Sequence, residues 1–333
     1  MARCRIFVGT VATLSAKTEL FRLKTFDVAL IDEATQILEP QLLGLLCARD
    51  VAGNNAIGKF ILIGDHKQLP AVVLQSESQS EVCEECLQSI GLYNLKDSLF
   101  ERLYRTVSAN HSSPTTQRFY DMLCRQGRMN VEVAQFPNRA FYGGLLEAVG
   151  LPHQQGKLVL APGLESDEFA DILVHRVAFL PSVPETPSQS AKINHFEARL
   201  TARLAASVYR QYEASNSGFN SALTLGVITP YRSQIALIKR EIAALGIPVL
   251  NDILVDTVER FQGSERDVII YSFCVNRTYQ LKFLANLTEE KGVWIDRKLN
   301  VALTRARKQL FMTGVPHLLR QNPIYADLLD TVL

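Results

Sequence analysis

Short, wholly apolar runs recur along the chain, and each ends in small or acidic polar residues. Val28 to Ile31 precede Asp32-Glu33, Phe60 to Ile63 precede Gly64-Asp65, and Ile6 to Val8 precede Gly9-Thr10. A second series follows with Leu225 to Ile228 before Thr229-Pro230, Leu254-Val255 before Asp256-Thr257, then Val268 to Phe273 and Leu310 to Thr313. Runs this short, without polar alternation, predict parallel strands buried on both faces, with working loops at their carboxyl ends. Between the later runs, Phe196, Leu200, Leu204 and Val208 recur every four residues, and Ile235, Ile238, Ile242 and Leu245 at three and four. Each set forms one apolar stripe of an amphipathic helix. Strand, helix, strand alternation predicts an α/β protein with parallel sheets. Two domains are expected, 1–115 and 116–333, the second carrying a Pro- and Ser-rich insertion near 143–190 that includes Pro181, Pro184 and Pro187.

Composition narrows the class without naming a function. With 47% apolar and 21% charged residues, the chain reads as globular and not disordered. The apolar runs are too short to span a bilayer, and no signal-peptide core follows Met1, so an intracellular protein and no membrane partner are expected. A net charge of +1 gives no global attraction to nucleic acid, so any such binding must come from a local groove. Cys83 and Cys86 have C-x-x-C spacing, but no second pair or matching histidines lie nearby, which favours reduced thiols over a zinc site.

Asp32-Glu33-Ala34-Thr35-Gln36 places two adjacent carboxylates at the end of a buried run, where open α/β sheets put their ligands. One carboxylate there can hold Mg²⁺ while its neighbour orients or deprotonates a water. Taken alone, the pair reads more readily as a solvated acidic turn. Gly64-Asp65-His66-Lys67-Gln68-Leu69-Pro70 follows the next run and offers an amide, Gln68, able to hydrogen-bond a phosphate or an attacking water.

Seven blocks in order carry a specific resemblance: Gly9 to Thr13, Asp32 to Gln36, Gly64 to Pro70, Gln126 to Met129, Thr229 to Gln234, Thr257 to Glu265 and Asn300 to Arg307. Together they resemble the successive motifs of superfamily 1 helicases, in the subgroup typified by the nonsense-mediated-decay RNA helicase and its DNA-acting relatives. The resemblance implies two RecA-like domains of P-loop NTPase type with ATP in a cleft between them, and single-stranded DNA or RNA as the track. It implies that Asp32 holds Mg²⁺, Glu33 activates water and Gln68 senses phosphate. Arg128 and Arg305 would be arginine fingers, Glu265 would contact the ribose, and Gly263 would allow close backbone approach. Thr10, Thr13, Thr229, Tyr231 and Thr257 would contact nucleic acid, although each hydroxyl alone reads as a helix cap or turn.

The pattern breaks at two places. The family needs G-x-x-x-x-G-K-[ST], the Walker A loop that cradles phosphates. Gly53 to Phe60 is the near match, but Phe60 has no hydroxyl and the segment leads into a strand. The first domain is therefore expected to be incomplete at its N-terminus, with the loop supplied by an upstream segment or another subunit. At Gly127 many relatives carry an aromatic residue that stacks on the nucleotide base, and glycine cannot. The chain is expected to be the C-terminal catalytic portion of an ATP-dependent helicase, inactive alone. A truncated module that binds nucleic acid or protein without hydrolysing ATP is the alternative.

Overall fold

A computed structural model describes residues 4–109, 119–185, 190–215, 217–290 and 292–333. The chain divides into two units, Met1–Met122 and Leu123–Leu333. The expected boundary at 115/116 lies outside the described residues. Among the described residues no helix is long and apolar enough to cross a membrane.

In the first unit, strands β1 (Phe26–Ile31) and β2 (Ile57–Leu62) pair in parallel, Ile31 against Leu62. Ala29, Ile31, Phe60 and Leu62 pack on the helices Val11–Ala16 and Glu39–Leu46 through Val11, Leu14, Leu42 and Leu45. The opposite face, with Val28, Leu30, Ile61 and Ile63, is exposed, Leu30 by 68%. Strands buried on one face only explain why an uninterrupted apolar run here does not mean a fully enclosed strand. Ile6 to Val8, expected as a strand, is not one. Its backbone is unpaired with any sheet among the described residues, and Ile6 and Val8 lie exposed.

Short strands β3 (Arg125–Gln126) and β4 (Glu147–Ala148) open the second unit. The main sheet is built from β5 (Val177–Pro181), β6 (Leu225–Ile228), β7 (Leu254–Asp256), β8 (Arg266–Ser272) and a further strand near the end of the chain. Before that last strand comes an antiparallel hairpin, β9 (Leu287–Glu290) and β10 (Val293–Asp296). β11 (Ala306–Gly314) completes a five-stranded parallel sheet in the order β5-β11-β8-β6-β7. The α/β class with parallel sheets is thus the one adopted. The stretch 143–190, read as an insertion, instead supplies edge strand β5, whose Ala178, Phe179 and Leu180 are buried. Pro181 is tolerated because it closes an edge strand.

Helices His195–Ala214 and Arg232–Ala244 pack together on this sheet. In the first of them the buried face runs through Ala198, Ala202, Leu204, Ala205 and Val208, while Phe196 is exposed. Leu204 and Val208 of the expected stripe lie in this face and Leu200 packs against it, while the alanines allow close approach of the helix to its neighbours. Gly226 in β6 shows the same tight packing, since a Cβ there would lie 2.5 Å from Phe261 Cε1 and 2.9 Å from Cζ. Gly226→Ala is expected to destabilise the chain by about 1–3 kcal/mol through overpacking, read by urea unfolding. Adding Phe261→Leu should recover part of that loss, and an unshifted midpoint for the single variant would contradict the contact.

Candidate functional site

In the first unit the acidic pair and the Gln68 loop leave the carboxyl ends of neighbouring strands β1 and β2. The loops are tied directly, because Ala34 N–H donates to the Ile63 carbonyl at 2.7 Å. A Cβ on Gly64 would stand 3.0 Å from the Thr35 backbone nitrogen, so a side chain there would push the two loops a few tenths of an ångström apart. Asp32 and Glu33 are both exposed. Asp32 Oδ1 accepts from Glu33 N–H at 2.9 Å, and Glu33 Oε2 accepts from Gln36 Nε2 at 2.6 Å. Glu33 adopts φ 51, a left-handed conformation uncommon outside glycine and often found at functional sites. Gln68 donates from Nε2 to Asp65 Oδ2 at 2.9 Å, within its own loop. Gly53 to Lys59 is a turn running into β2, with no helix after it, which excludes a phosphate-cradling loop there.

Thr10 and Thr13 are spent on a helix cap. Thr10 Oγ1 accepts from Thr13 N–H at 3.2 Å and donates to Thr13 Oγ1 at 2.9 Å, both exposed at the start of the helix Val11–Ala16.

In the second unit a turn pinned by its own side chains presents Arg128. Gln126 Oε1 accepts from the N–H groups of Arg128 and Met129 at 3.0 and 2.8 Å, and Asn130 caps the helix Val131–Tyr142. Arg128 Nε donates to Glu265 Oε2 at 2.8 Å and Nη1 to the Thr304 carbonyl at 3.4 Å. Arg307 Nε lies 3.3 Å from the other oxygen of Glu265. The acid read as a ribose contact therefore sits between two guanidinium groups. The pair is partly exposed, so its attraction is weak, on the order of 0–1 kcal/mol. Gly263 has φ 74, a left-handed turn that favours glycine, with open space where a Cβ would be.

Arg305, expected as a reachable cation, is 2% exposed. Its Nε donates to the Val301 carbonyl, Nη1 to the Ser264 carbonyl and Nη2 to Thr304 Oγ1, at 3.2 to 3.3 Å. Those acceptors draw the guanidinium into the protein. Arg128, Arg305 and the Gly263–Glu265 turn are nonetheless gathered around Thr304, a residue that the sequence reading passed over. Gln36, Gln126, Asn130 and Arg307 were missed in the same way, although all lie inside the quoted blocks or one residue from them.

Thr229 and Thr257 stand side by side, at the ends of β6 and β7, where Ile228 is paired with Asp256. Thr229 is fully buried, and its hydroxyl has no hydrogen-bond partner among the described residues. It cannot touch a phosphate in this conformation, a correction caused by its N–H bond to the Asp256 carbonyl, which folds the residue into the sheet end. Thr257 and Tyr231 are half-buried. The Tyr231 hydroxyl accepts from Gln280 Nε2 at 3.1 Å, and burial pushes its pKa up.

The chain matches two family models, both described as AAA domain, at residues 1–76 and 95–317, the latter about two thirds of its length. It is 31% identical over 326 residues to the uncharacterized ATP-dependent helicase MJ0104 of Methanocaldococcus jannaschii, covering 96% of this chain and 40% of that protein. It is 32% identical over 320 residues to the DNA replication ATP-dependent helicase/nuclease DNA2 of Xenopus laevis, covering 90% and 26% respectively. Against the DNA polymerase alpha-associated DNA helicase A of Saccharomyces cerevisiae the values are 27% over 300 residues, 87% and 38%. The chain thus spans 40% or less of the length of these relatives. With both models matched and the Asp32, Gly64, Thr229 and Thr257 blocks placed at the carboxyl ends of parallel strands, the chain belongs to the AAA-domain family of superfamily 1 helicases.

Proposed function

We propose that this chain is the C-terminal catalytic portion of an ATP-dependent helicase or translocase moving on single-stranded DNA or RNA, its phosphate loop supplied by an upstream segment or a separate subunit. The observation that carries the proposal is the junction of the Asp32–Gln36 and Gly64–Pro70 loops at neighbouring strand ends, fixed by the Ala34 to Ile63 hydrogen bond. Paired carboxylates and an amide at adjoining strand ends are the group types that phosphoryl chemistry uses.

Asp32 is suited to Mg²⁺, a hard ion that takes one or two carboxylates and keeps several waters, because its carboxylate is exposed and carries one internal hydrogen bond. The ion would supply charge neutralisation on the phosphates. Glu33 orients and deprotonates the attacking water, with Gln36 holding its carboxylate. Gln68 reports on the terminal phosphate. Arg128 is available once Glu265 gives it up, and an exchange of a weak ion pair for a phosphate is energetically easy. Arg305 acts first as the brace of the Ser264 turn, and reaches phosphate only after leaving its carbonyl acceptors. In the second unit, nucleic acid is held through phosphates by Tyr231 and Thr257; in the first, Thr10 and Thr13 reach a phosphate only by giving up their bonds to each other.

The test is ATP hydrolysis by this chain, alone and joined to a segment bearing G-x-x-x-x-G-K-[ST], with Mg²⁺ and with either single-stranded DNA or RNA. Expected is hydrolysis by the joined protein only, stimulated by a strand, with the better stimulant naming the track. Strand binding without hydrolysis in either form would favour the non-hydrolysing module instead.

A further inference from the structure

Three of the four exposed aromatic side chains among the described residues of the second unit fall within a span of sixteen residues, Tyr279 (56% exposed), Phe283 (64%) and Trp294 (55%). Tyr279 and Phe283 are four apart on the helical run 278–284, a spacing that sets them on one face. The opposite face of that run is buried through Gln280, Leu281 and Leu284. This reverses the usual arrangement, in which aromatics turn inward and polar residues outward. Trp294 lies on β10 of the hairpin, opposite Glu289 and on the exposed part of the strand, while Ile295 and Asp296 turn into the core.

The two aromatic elements are held together by polar contacts. Asn286 N–H donates to Asp296 Oδ1 at 3.0 Å, Arg297 N–H donates to the Asn286 carbonyl at 2.8 Å, and Lys298 Nζ reaches the Phe283 carbonyl at 3.4 Å. Exposed Arg277 and Lys282 lie two residues before Tyr279 and one before Phe283 in the sequence, and Arg277 donates to the backbone carbonyls of Glu185 and Asn276. Arg277 is thus fixed in position by neutral carbonyl acceptors. The same element reaches the proposed strand contacts, since Gln280 donates to the Tyr231 hydroxyl and Lys298 pairs with Glu259 two residues after Thr257.

We propose that Tyr279, Phe283 and Trp294 form a platform on which bases of a single strand stack, extending the path that begins at Tyr231 and Thr257. The inference rests on the nucleic-acid partner proposed above. Aromatic faces take any base, because every base has a π-face, and flanking cations hold the phosphates between stacked bases. Such a platform gives binding without sequence reading, as a motor needs. It also compensates for a net charge of only +1, because the attraction it supplies does not come from charge.

Trp294 is the only tryptophan, so its fluorescence reports the platform directly. The intact chain is titrated with short oligo(dT) and oligo(U) carrying an end label, following strand anisotropy and indole emission together, and again with an abasic strand. Expected are quenching that saturates with the anisotropy change, little quenching by the abasic strand, and binding weakened about 5- to 150-fold for Phe283→Ala or Trp294→Ala. All three rings are exposed, and unchanged far-ultraviolet circular dichroism verifies that the variants fold. Binding with unchanged indole emission and unweakened variants would overturn the platform while leaving a nucleic-acid partner in place. No binding of any strand would overturn both. Self-association that Trp294→Ala abolishes, without strand quenching, would assign the patch to a second copy and overturn the proposal.

Discussion

Replacing Glu33 by glutamine in the chain joined to a Walker A segment is expected to lower ATP hydrolysis by about 10²- to 10⁴-fold, the contribution of a positioned general base. The substitution keeps the size of the side chain and its bond to Gln36, because an amide oxygen also accepts. Glu33 is exposed, so the fold bears no cost of burying an altered group. Its left-handed backbone is held by the bond from Gln36 N–H to the Glu33 carbonyl at 2.9 Å, which glutamine leaves in place. Nucleotide binding, followed with a fluorescent ATP analogue, should therefore be retained while turnover is lost. Gln36→Ala should produce a smaller loss, since it frees the carboxylate to swing without removing it. A fall of less than tenfold for Glu33→Gln would remove Glu33 from the role of base and leave the acidic pair a metal ligand only.

The strands that carry these loops were legible because parallel strands read as unbroken apolar runs. β6 spans the same four residues that periodicity gives, and β1 and β2 extend theirs by a few residues toward the N-terminus. Ile6 to Val8 has the same composition and forms no strand, since a run of apolar residues specifies burial only where a neighbour is present to pair with it. β5 was hidden by prolines, and its role is set by pairing with β11, a contact between residues more than a hundred positions apart. Site residues were legible where chemistry and position coincide, as at Asp32, Glu33 and Arg128. They were not where a short polar side chain is turned by its surroundings. Thr229 has the right type at the right strand end, yet the register of β6 with β7 buries it. Nothing local in Thr304 announces that two arginines converge on it. The exposure of Tyr279, Phe283 and Trp294 is a property of packing that composition does not encode.

The second unit should lose stability as pH rises, and one carboxyl accounts for much of the loss. Glu197 is fully buried in the first turn of the helix His195–Ala214, with no cation among its hydrogen-bond partners. Ser182 Oγ donates to Oε1 at 3.0 Å, and Ser272 Oγ and Cys274 N–H donate to Oε2 at 2.7 and 2.9 Å. Burial outweighs these three bonds and pushes the carboxyl from an ordinary 4.5 up to about 7. Between those values the folded chain keeps the proton and the unfolded chain releases it, so raising pH favours unfolding. The stabilising contribution is complete below pH 4.5 and is lost on passing through 7, at a total cost of about 3 kcal/mol. Glu197→Gln should remove this slope, because an amide stays neutral and the Ser182 hydroxyl can turn to accept from it. The measurement is urea unfolding of both proteins from about pH 5 to about pH 8, taking the difference so that other titrating groups cancel. Cys274, whose thiol is itself pushed up by burial and by the carboxylates of Glu197 and Glu185, stays neutral across that interval. The consequence reaches the functional surface, since Glu197 holds the start of the segment that runs through Asn276 to Gln280 and so fixes Tyr231. Strand binding by wild type should weaken with rising pH more than binding by Glu197→Gln, and parallel curves for the two would sever that link.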